Sequence, residues 1–322
     1  MAPRLPAVSS LVENSAGWGF FLCTEKSQRT GRGGEYLALT LADATGEVAG
    51  RVFENLDRLR AEFDAGEFVK VQGRLQVFDG RSQFVVETIR RVMLGADSQD
   101  RRDGFSEATL LPSAPRPVDE MWAELQRAID EIATPPLQVL VRRIVVDHED
   151  ALRTWPAART MHHAYRGGLL EHILSMAKAG RALASLYDAR QDLVVAGAIL
   201  HDIGKLHELQ YDTTTNYTRD GNLVGHITLG ALMVADASRG ISGFPDTLRA
   251  EVLHLIVSHH GARERGSPVE PASIEAYILA AVDELDARLN QVKRAIAEDK
   301  SDGDFTPYNA RLGRTVWKGP GS

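Results

Sequence analysis

A chain of 322 residues with 43% hydrophobic and 25% charged content has length enough for two compact units and is too apolar for wholesale disorder, a collagen-like repeat or a heptad rod. Its 37 basic and 44 acidic residues sum to −7, so no bulk positive field draws it onto nucleic acid or anionic membrane, and any polyanion site must be local. The single Cys23 excludes an intramolecular disulfide and a thiolate zinc site; with no signal-peptide pattern at the start and no apolar run reaching the roughly 18 residues of a membrane helix, the expectation is a cytoplasmic protein with no membrane partner.

In chain order, residues 18–93 read as strands. Tyr36-Leu37-Ala38-Leu39-Thr40-Leu41 alternates with period two and puts its leucines on one face, the core face. Turn residues separate the runs at 31–34, 43–46 and Asp79-Gly80, the last a good hairpin turn. An amphipathic stretch at 56–63 falls after the third strand, so the order is three strands, a short helix and two strands. That order suits a five-stranded OB barrel, placed at 1–95; an SH3-like barrel or a small sandwich gives similar alternation. The segment is neutral, with 12 basic and 12 acidic residues through Gly95.

Residues 96–117 are polar, charged and proline-bearing without a sustained period, as an exposed connection reads. Beyond them the period turns helical: Met121, Trp122, Leu125, Ile129 and Ile132 share one face, and a mostly α unit is expected over 118–301. Residues 302–322 form a weakly patterned arm in which Phe305, Tyr308 and Trp317 interleave with basic residues, expected to dock on a helix or a subunit. The predicted architecture is therefore multi-domain, an all-β barrel followed by an all-α domain.

All ten histidines lie in the helical part, after residue 147. His172 sits inside the apolar stretch Leu169–Leu174, His201-Asp202 ends the apolar run 193–200, and Asp283 closes Leu279-Ala280-Ala281-Val282. Burying such groups unpaired costs several kcal/mol in practice, so a divalent ion that all of them coordinate is the economical explanation. Imidazole nitrogen with carboxylate oxygen suits Mn, Fe, Zn, Ni or Co better than Ca or Mg. His148, His207 and His254 read as ordinary structural histidines.

The order His172, His201-Asp202, Asp283 resembles the H…HD…D signature of the HD superfamily of metal-dependent phosphohydrolases, whose fold is a helical bundle. Gly225-His226 and Ser258-His259-His260-Gly261 extend it to H…HD…H…HH…D, which in multi-metal members supplies a second ion site bridged by the aspartate. The stretches Thr160-Met161-His162-His163-Ala164-Tyr165, AGAILHDIGKLHEL, TRDGNLVGHITLG and LIVSHHGARERGSP, behind an OB-type unit, resemble the YhaM-type 3′→5′ exoribonucleases of bacteria over nearly the whole chain. The resemblance implies removal of nucleotides from the 3′ end of single-stranded RNA, in some members also single-stranded DNA, with manganese as the usual ion.

Carried onto this chain, the resemblance implies His172, His201, Asp202 and Asp283 around one ion, and His226, His259 and His260 joining a bridging Asp202 around a second. Lys205, three residues after Asp202, is expected to neutralise a phosphate oxygen as charge builds. His162 or His163 would touch the scissile phosphate or protonate the leaving oxygen, and Arg263 and Arg265 would contact phosphate. On the barrel, Phe20, Phe53 and Phe78 are candidates for base stacking, and Arg51, Arg74 and Arg81 for tracking the backbone, alongside other aromatics that belong to the core. A homo-oligomer is expected. Two other functions fit parts of the pattern: an HD-type phosphohydrolase of dNTP, (p)ppGpp or a cyclic dinucleotide, and a non-catalytic single-strand-binding protein. The barrel disfavours the first, and the intact ligand set disfavours the second.

Overall fold

The structure, a computed structural model, describes residues 2–31, 34–78, 80–95, 97–111, 113–157, 165–211, 215–299, 301–310 and 312–319. Two compact units divide between Ser113 and Ala114. In the first, β1 (Ala16–Gly31), β2 (Gly34–Asp43), β3 (Gly46–Val52), β4 (Glu67–Phe78) and β5 (Arg81–Arg91) close into a barrel in the order β1-β2-β3-β5-β4, with α1 (Leu56–Glu62) between β3 and β4. All pairings are antiparallel except β3 with β5. This is the OB arrangement that the strand order predicts.

Period-two alternation places Leu37, Leu39 and Leu41 inside the barrel with Phe21, Val69, Val71, Phe84 and Val86, while the residues between them face outward. Leu59 and Phe63, from and just after α1, are buried in the same cluster.

Residues 96–117 correct the expectation of an exposed connection. Phe105, Leu110 and Leu111 pack with Phe20, Leu22, Phe68 and Val92 in a second apolar cluster, formed on strand positions that alternate with the barrel interior. The short helix α2 (Gln99–Arg102) is capped by Ser98, whose hydroxyl accepts from the Arg101 amide. Its Asp100 is fully buried and accepts two hydrogen bonds from the Arg90 guanidinium, at 2.6 and 2.7 Å, and one from the Met93 amide at 2.9 Å. A polar stretch without periodicity still folds when its few apolar residues meet an apolar strand face and its charges find partners there.

The second unit contains α3 (Val118–Asp130), α4 (Pro135–Asp147), α5 (Glu149–Leu152), α6 (Gly168–Leu186), α7 (Gln191–Leu200), α8 (Lys205–Glu208), α9 (Arg219–Val224), α10 (His226–Arg239), α11 (Asp246–Ser258) and α12 (Ile274–Glu298). A small antiparallel pair of β6 (Leu209–Tyr211) and β7 (Thr215–Tyr217) follows α8, and isolated antiparallel bridges join Phe305 to Trp317 and Asn309 to Arg314 in the arm. The apolar face of α3 is buried as predicted, and in α7 every residue from Leu193 to Leu200 is buried. A helix apolar all round belongs at the centre of its domain, and α7 lies in one core with residues of α6, α11 and α12.

Two glycines allow the close approach that builds the site. A side chain on Gly204 would lie 2.0 Å from the His226 carbonyl oxygen, so only glycine lets the turn before α8 press against the start of α10. Gly225, at φ +76°, turns the chain into α10 in a conformation L side chains rarely adopt. Among the described residues no helix is long and apolar enough to cross a membrane. The arm is held by polar contacts, with Lys318 paired to Asp299 at 3.0 Å. Within the chain its aromatics do not dock on a helix: Phe305, Tyr308 and Trp317 are each more than half exposed.

Candidate metal centre and nucleic-acid interface

Five imidazoles from four helices and their ends converge on one pocket of the second unit. His172 comes from α6, His201 from the end of α7, His226 from the first residue of α10, and His259 and His260 from the end of α11. Each ring is held through Nδ1. In His201, His259 and His260 that nitrogen meets a backbone carbonyl, of Ala198 at 2.9 Å, Ile256 at 2.7 Å and Arg265 at 3.0 Å. A carbonyl only accepts, so Nδ1 carries the proton and Nε2 presents its lone pair. His172 and His226 meet carboxylates instead, Asp286 at 2.7 Å and Glu208 at 3.0 Å.

The Nε2 atoms face two carboxylates. His172 Nε2 lies 3.2 Å from His201 Nε2 and 3.3 Å from Asp283 Oδ1, and His201 Nε2 lies 3.3 Å from Asp202 Oδ2. On the other side of the same carboxylate, Asp202 Oδ1 lies 3.5 Å from His226 Nε2 and 3.7 Å from His259 Nε2. The donor atoms of His226, His259 and His260 all lie within 4.8 Å of one another, as do those of His172, His201 and Asp283. Nitrogen and oxygen ligands about 2.0–2.2 Å from a shared first-row ion stand roughly 3–3.5 Å apart; the spacings around His172 match this, and both sets could hold an ion.

Asp202 Oδ1, His226 Nε2 and His259 Nε2 are buried without a hydrogen-bond partner. Leaving three such atoms unsatisfied costs about 1–3 kcal/mol each, and they all point at the same space. Burial alone would raise the Asp202 carboxyl, but the Lys205 ammonium and the His201 ring hold it well below the usual carboxylate range. Burial likewise opposes ionisation of Asp283, and the hydrogen bond to His172 outweighs it. For His172 burial disfavours charge, yet Asp283 and Asp286 lift it to about 9. Burial and the neighbouring His201 push His259 down, and burial does the same to His260. The carboxylates are thus ionised, and the His259 and His260 rings are kept neutral.

The expected residues fare differently. Lys205 is buried, and its ammonium lies 2.6 Å from Asp202 Oδ2; the helix does not continue through Gly204, and a turn brings Lys205 back to its partner. His162 and His163 lie outside the described residues. Arg263 and Arg265 are both exposed; Arg265 is paired with Glu284 at 2.5 Å and gives its carbonyl to His260. On the barrel, Phe20 corrects the stacking expectation: it is buried edge-on against Phe105, with ring centroids 5.4 Å apart. Phe53, Phe78 and Arg74 are exposed, and the side chain of Arg81 lies outside the description.

Three residues escaped the reading of the sequence. Asp286 follows Asp283 by one helical turn, and Glu208 follows Lys205 by the same interval. Tyr36 occupies the outward position beside Leu37 and packs 5.8 Å from Phe53, with the Arg51 guanidinium 5.4 Å from its ring centre. The i, i+3 spacing and the strand alternation were the available signals.

A helical domain with these donors on these helices is an HD-type domain, and the HD domain family matches residues 169–288, while the family of OB-fold nucleic acid binding domains matches residues 23–92. The similarity extends beyond the separate domains. The chain is 35% identical to the 3′-5′ exoribonuclease YhaM of Bacillus subtilis over 277 residues, 85% of each chain. It is 33% identical to that of Oceanobacillus iheyensis over 294 residues, 89% of each, and 32% identical to that of Halalkalibacterium halodurans over 294 residues, 89% of this chain and 88% of the relative. The chain belongs to the YhaM family of 3′-5′ exoribonucleases.

Proposed function

We propose that this protein is a metal-dependent 3′→5′ exoribonuclease that uses two divalent ions, manganese by preference, in the pocket of the helical unit. The observation that carries the reading is the convergence of the His172, His201, His226 and His259 rings on Asp202 and Asp283, with His260 beside them and three of the donor atoms buried and unpartnered. His172, His201, Asp202 and Asp283 would hold one ion, and His226, His259 and His260 the other, with Asp202 shared between them. Ions bound there would acidify the attacking water and neutralise charge on the attacking and leaving oxygens.

The residues of the chain supply the rest. The Nδ1 bonds fix each ring so that its lone pair needs no reorientation. Lys205 pairs with Asp202, and in this reading its ammonium also meets a phosphate oxygen as charge builds. Water attacks the phosphorus of the last phosphodiester, the bond from phosphorus to the 3′ oxygen of the preceding nucleotide breaks, and that oxygen takes a proton. A nucleoside 5′-monophosphate leaves, and the shortened RNA keeps a 3′ hydroxyl. His162 or His163 supplies that proton in this reading, and Arg263 contacts phosphate.

Single-stranded RNA, and by the same chemistry single-stranded DNA, would stack on Tyr36 and Phe53, with Arg51 beside them and the exposed Phe78 and Arg74 further along the barrel. Stacking carries the binding because the barrel is neutral overall. Self-association is part of the proposal, with the exposed aromatics of the arm available for it. The test is end-labelled single-stranded RNA with purified protein and Mn²⁺, with and without chelator. Shortening from the 3′ end that chelator abolishes supports the reading. Hydrolysis of free nucleotides alone, or binding without turnover, contradicts it.

A further inference from the structure

We infer that Asp286 and Glu208 are positioning residues, one behind each ion site, that set the direction and basicity of the first histidine of each set; the inference rests on the two-ion reading above. Of the five rings, three are anchored by backbone carbonyls and two by carboxylates, and the two belong to different sites. His172 is gripped at both nitrogens by one helix: Asp283 Oδ1 stands 3.3 Å from Nε2 and Asp286 Oδ2 stands 2.7 Å from Nδ1. Their separation by one turn of α12 makes both contacts possible from a single face. The ring therefore has no freedom to rotate about its bond to Cβ.

Glu208 does the same for His226 by a different route. Its Oε1 accepts both the His226 backbone amide and its Nδ1, each at 3.0 Å. One oxygen thus satisfies an orphan donor at the start of α10 and orients the ring carried by that same residue. Both carboxylates are largely buried, at 19% and 13% exposed, and Glu208 is held below its usual range against burial by the bond to His226. A carboxylate accepting from Nδ1 polarises the imidazole and strengthens Nε2 as a ligand more than a carbonyl does. Each site has one ring tuned in this way, and the others are only held.

The test is calorimetric titration of the full-length, EDTA-stripped protein with Mn²⁺, for the wild type, Asp286→Asn, Glu208→Gln and the double variant. The wild type is expected to show two binding events. Each single variant weakens a different one of them by roughly 10–100-fold, the range for removal of an outer-shell partner, and the double variant weakens both. The amide replacements keep the shape and one acceptor oxygen, and thermal unfolding in EDTA reports whether each variant folds. Wild-type affinities in both variants would overturn the inference while leaving the two-ion reading intact. So would lowered stability in EDTA with unchanged Mn²⁺ affinity, because that is the signature of a purely structural ion pair. Absence of Mn²⁺ binding in the wild type would instead bring down the reading on which the inference rests. Asp286→Ala and Glu208→Ala, which remove the acceptor altogether, are expected to weaken the same events further.

Discussion

Asp100 in the barrel and Asp202 in the helical unit are two buried carboxylates that the fold treats in opposite ways. Both are shielded from water, and both titrate below an ordinary aspartate, Asp100 at about 2. The surroundings of Asp100 are complete: Arg90 gives two hydrogen bonds, Met93 gives its amide, and Lys70 stands 3.5 Å away. Asp202 is satisfied on one oxygen by Lys205, while its other oxygen lies bare among imidazole nitrogens. Desolvation alone does not mark a functional group. What separates a structural charge from a working one is whether the protein supplies all of its partners.

The largest effect expected from this contrast is at Asp202. Asp202→Ala removes the carboxylate that faces both donor sets, and RNA hydrolysis should fall by at least roughly 10²–10³-fold, the scale for loss of a charge-stabilising group at a reaction centre. Labelled RNA with Mn²⁺ measures this, and binding of the same RNA should be nearly unchanged. Retained turnover would show that the bare oxygen is not a ligand. Asp100→Ala should do the reverse. Losing the acceptor for Arg90 and the Met93 amide should destabilise the barrel by about 1–3 kcal/mol, read from denaturant unfolding, with no change in the Mn²⁺ affinity of the folded protein.

The ion pair of Asp100 also sets a pH dependence with a definite sign. Its folded pKa of about 2 lies below the unfolded value of about 3.9, so the stabilisation is fully present above pH 4. It is lost as pH falls from about 4 to about 2. Unfolding curves of the wild type and Asp100→Asn, recorded between pH 6 and pH 2 by denaturant titration, should therefore converge at the acid end.

Much of this contrast was legible in the amino-acid order, and the remainder was hidden for identifiable reasons. The helical site could be read because imidazoles and carboxylates embedded in apolar helical runs are conspicuous, and because His172, His201, Asp202 and Asp283 each interrupt such a run. The barrel could be read from the alternation around Leu37, Leu39 and Leu41. The packing of residues 97–111 against it could not, because Phe105, Leu110 and Leu111 have no period among the charges that surround them. Phe20 was misplaced for the same reason, since an outward strand position counts as exposed only if nothing covers it. Asp286 and Glu208 were passed over because a carboxylate one turn from a ligand looks like ordinary helix surface until the ring it touches is located.

A smaller effect belongs to the barrel face that stays open. Phe53→Ala should weaken single-stranded RNA binding by about 1–3 kcal/mol, the contribution of one stacked base, and Tyr36→Ala by a similar amount. Phe20→Leu should leave binding unchanged, because that ring lies under Phe105. Fluorescence anisotropy with labelled RNA distinguishes them, and equal losses at all three positions would place the strand on the covered face instead.

The central claim is that the bare side of Asp202 and its neighbouring rings hold divalent ions. Anomalous diffraction from crystals soaked in Mn²⁺ tests it most directly. The account predicts two peaks, one among His172, His201, Asp202 and Asp283 and one among Asp202, His226, His259 and His260, each about 2.0–2.3 Å from its ligand atoms. Saturating Mn²⁺ that leaves this pocket without a peak would contradict it.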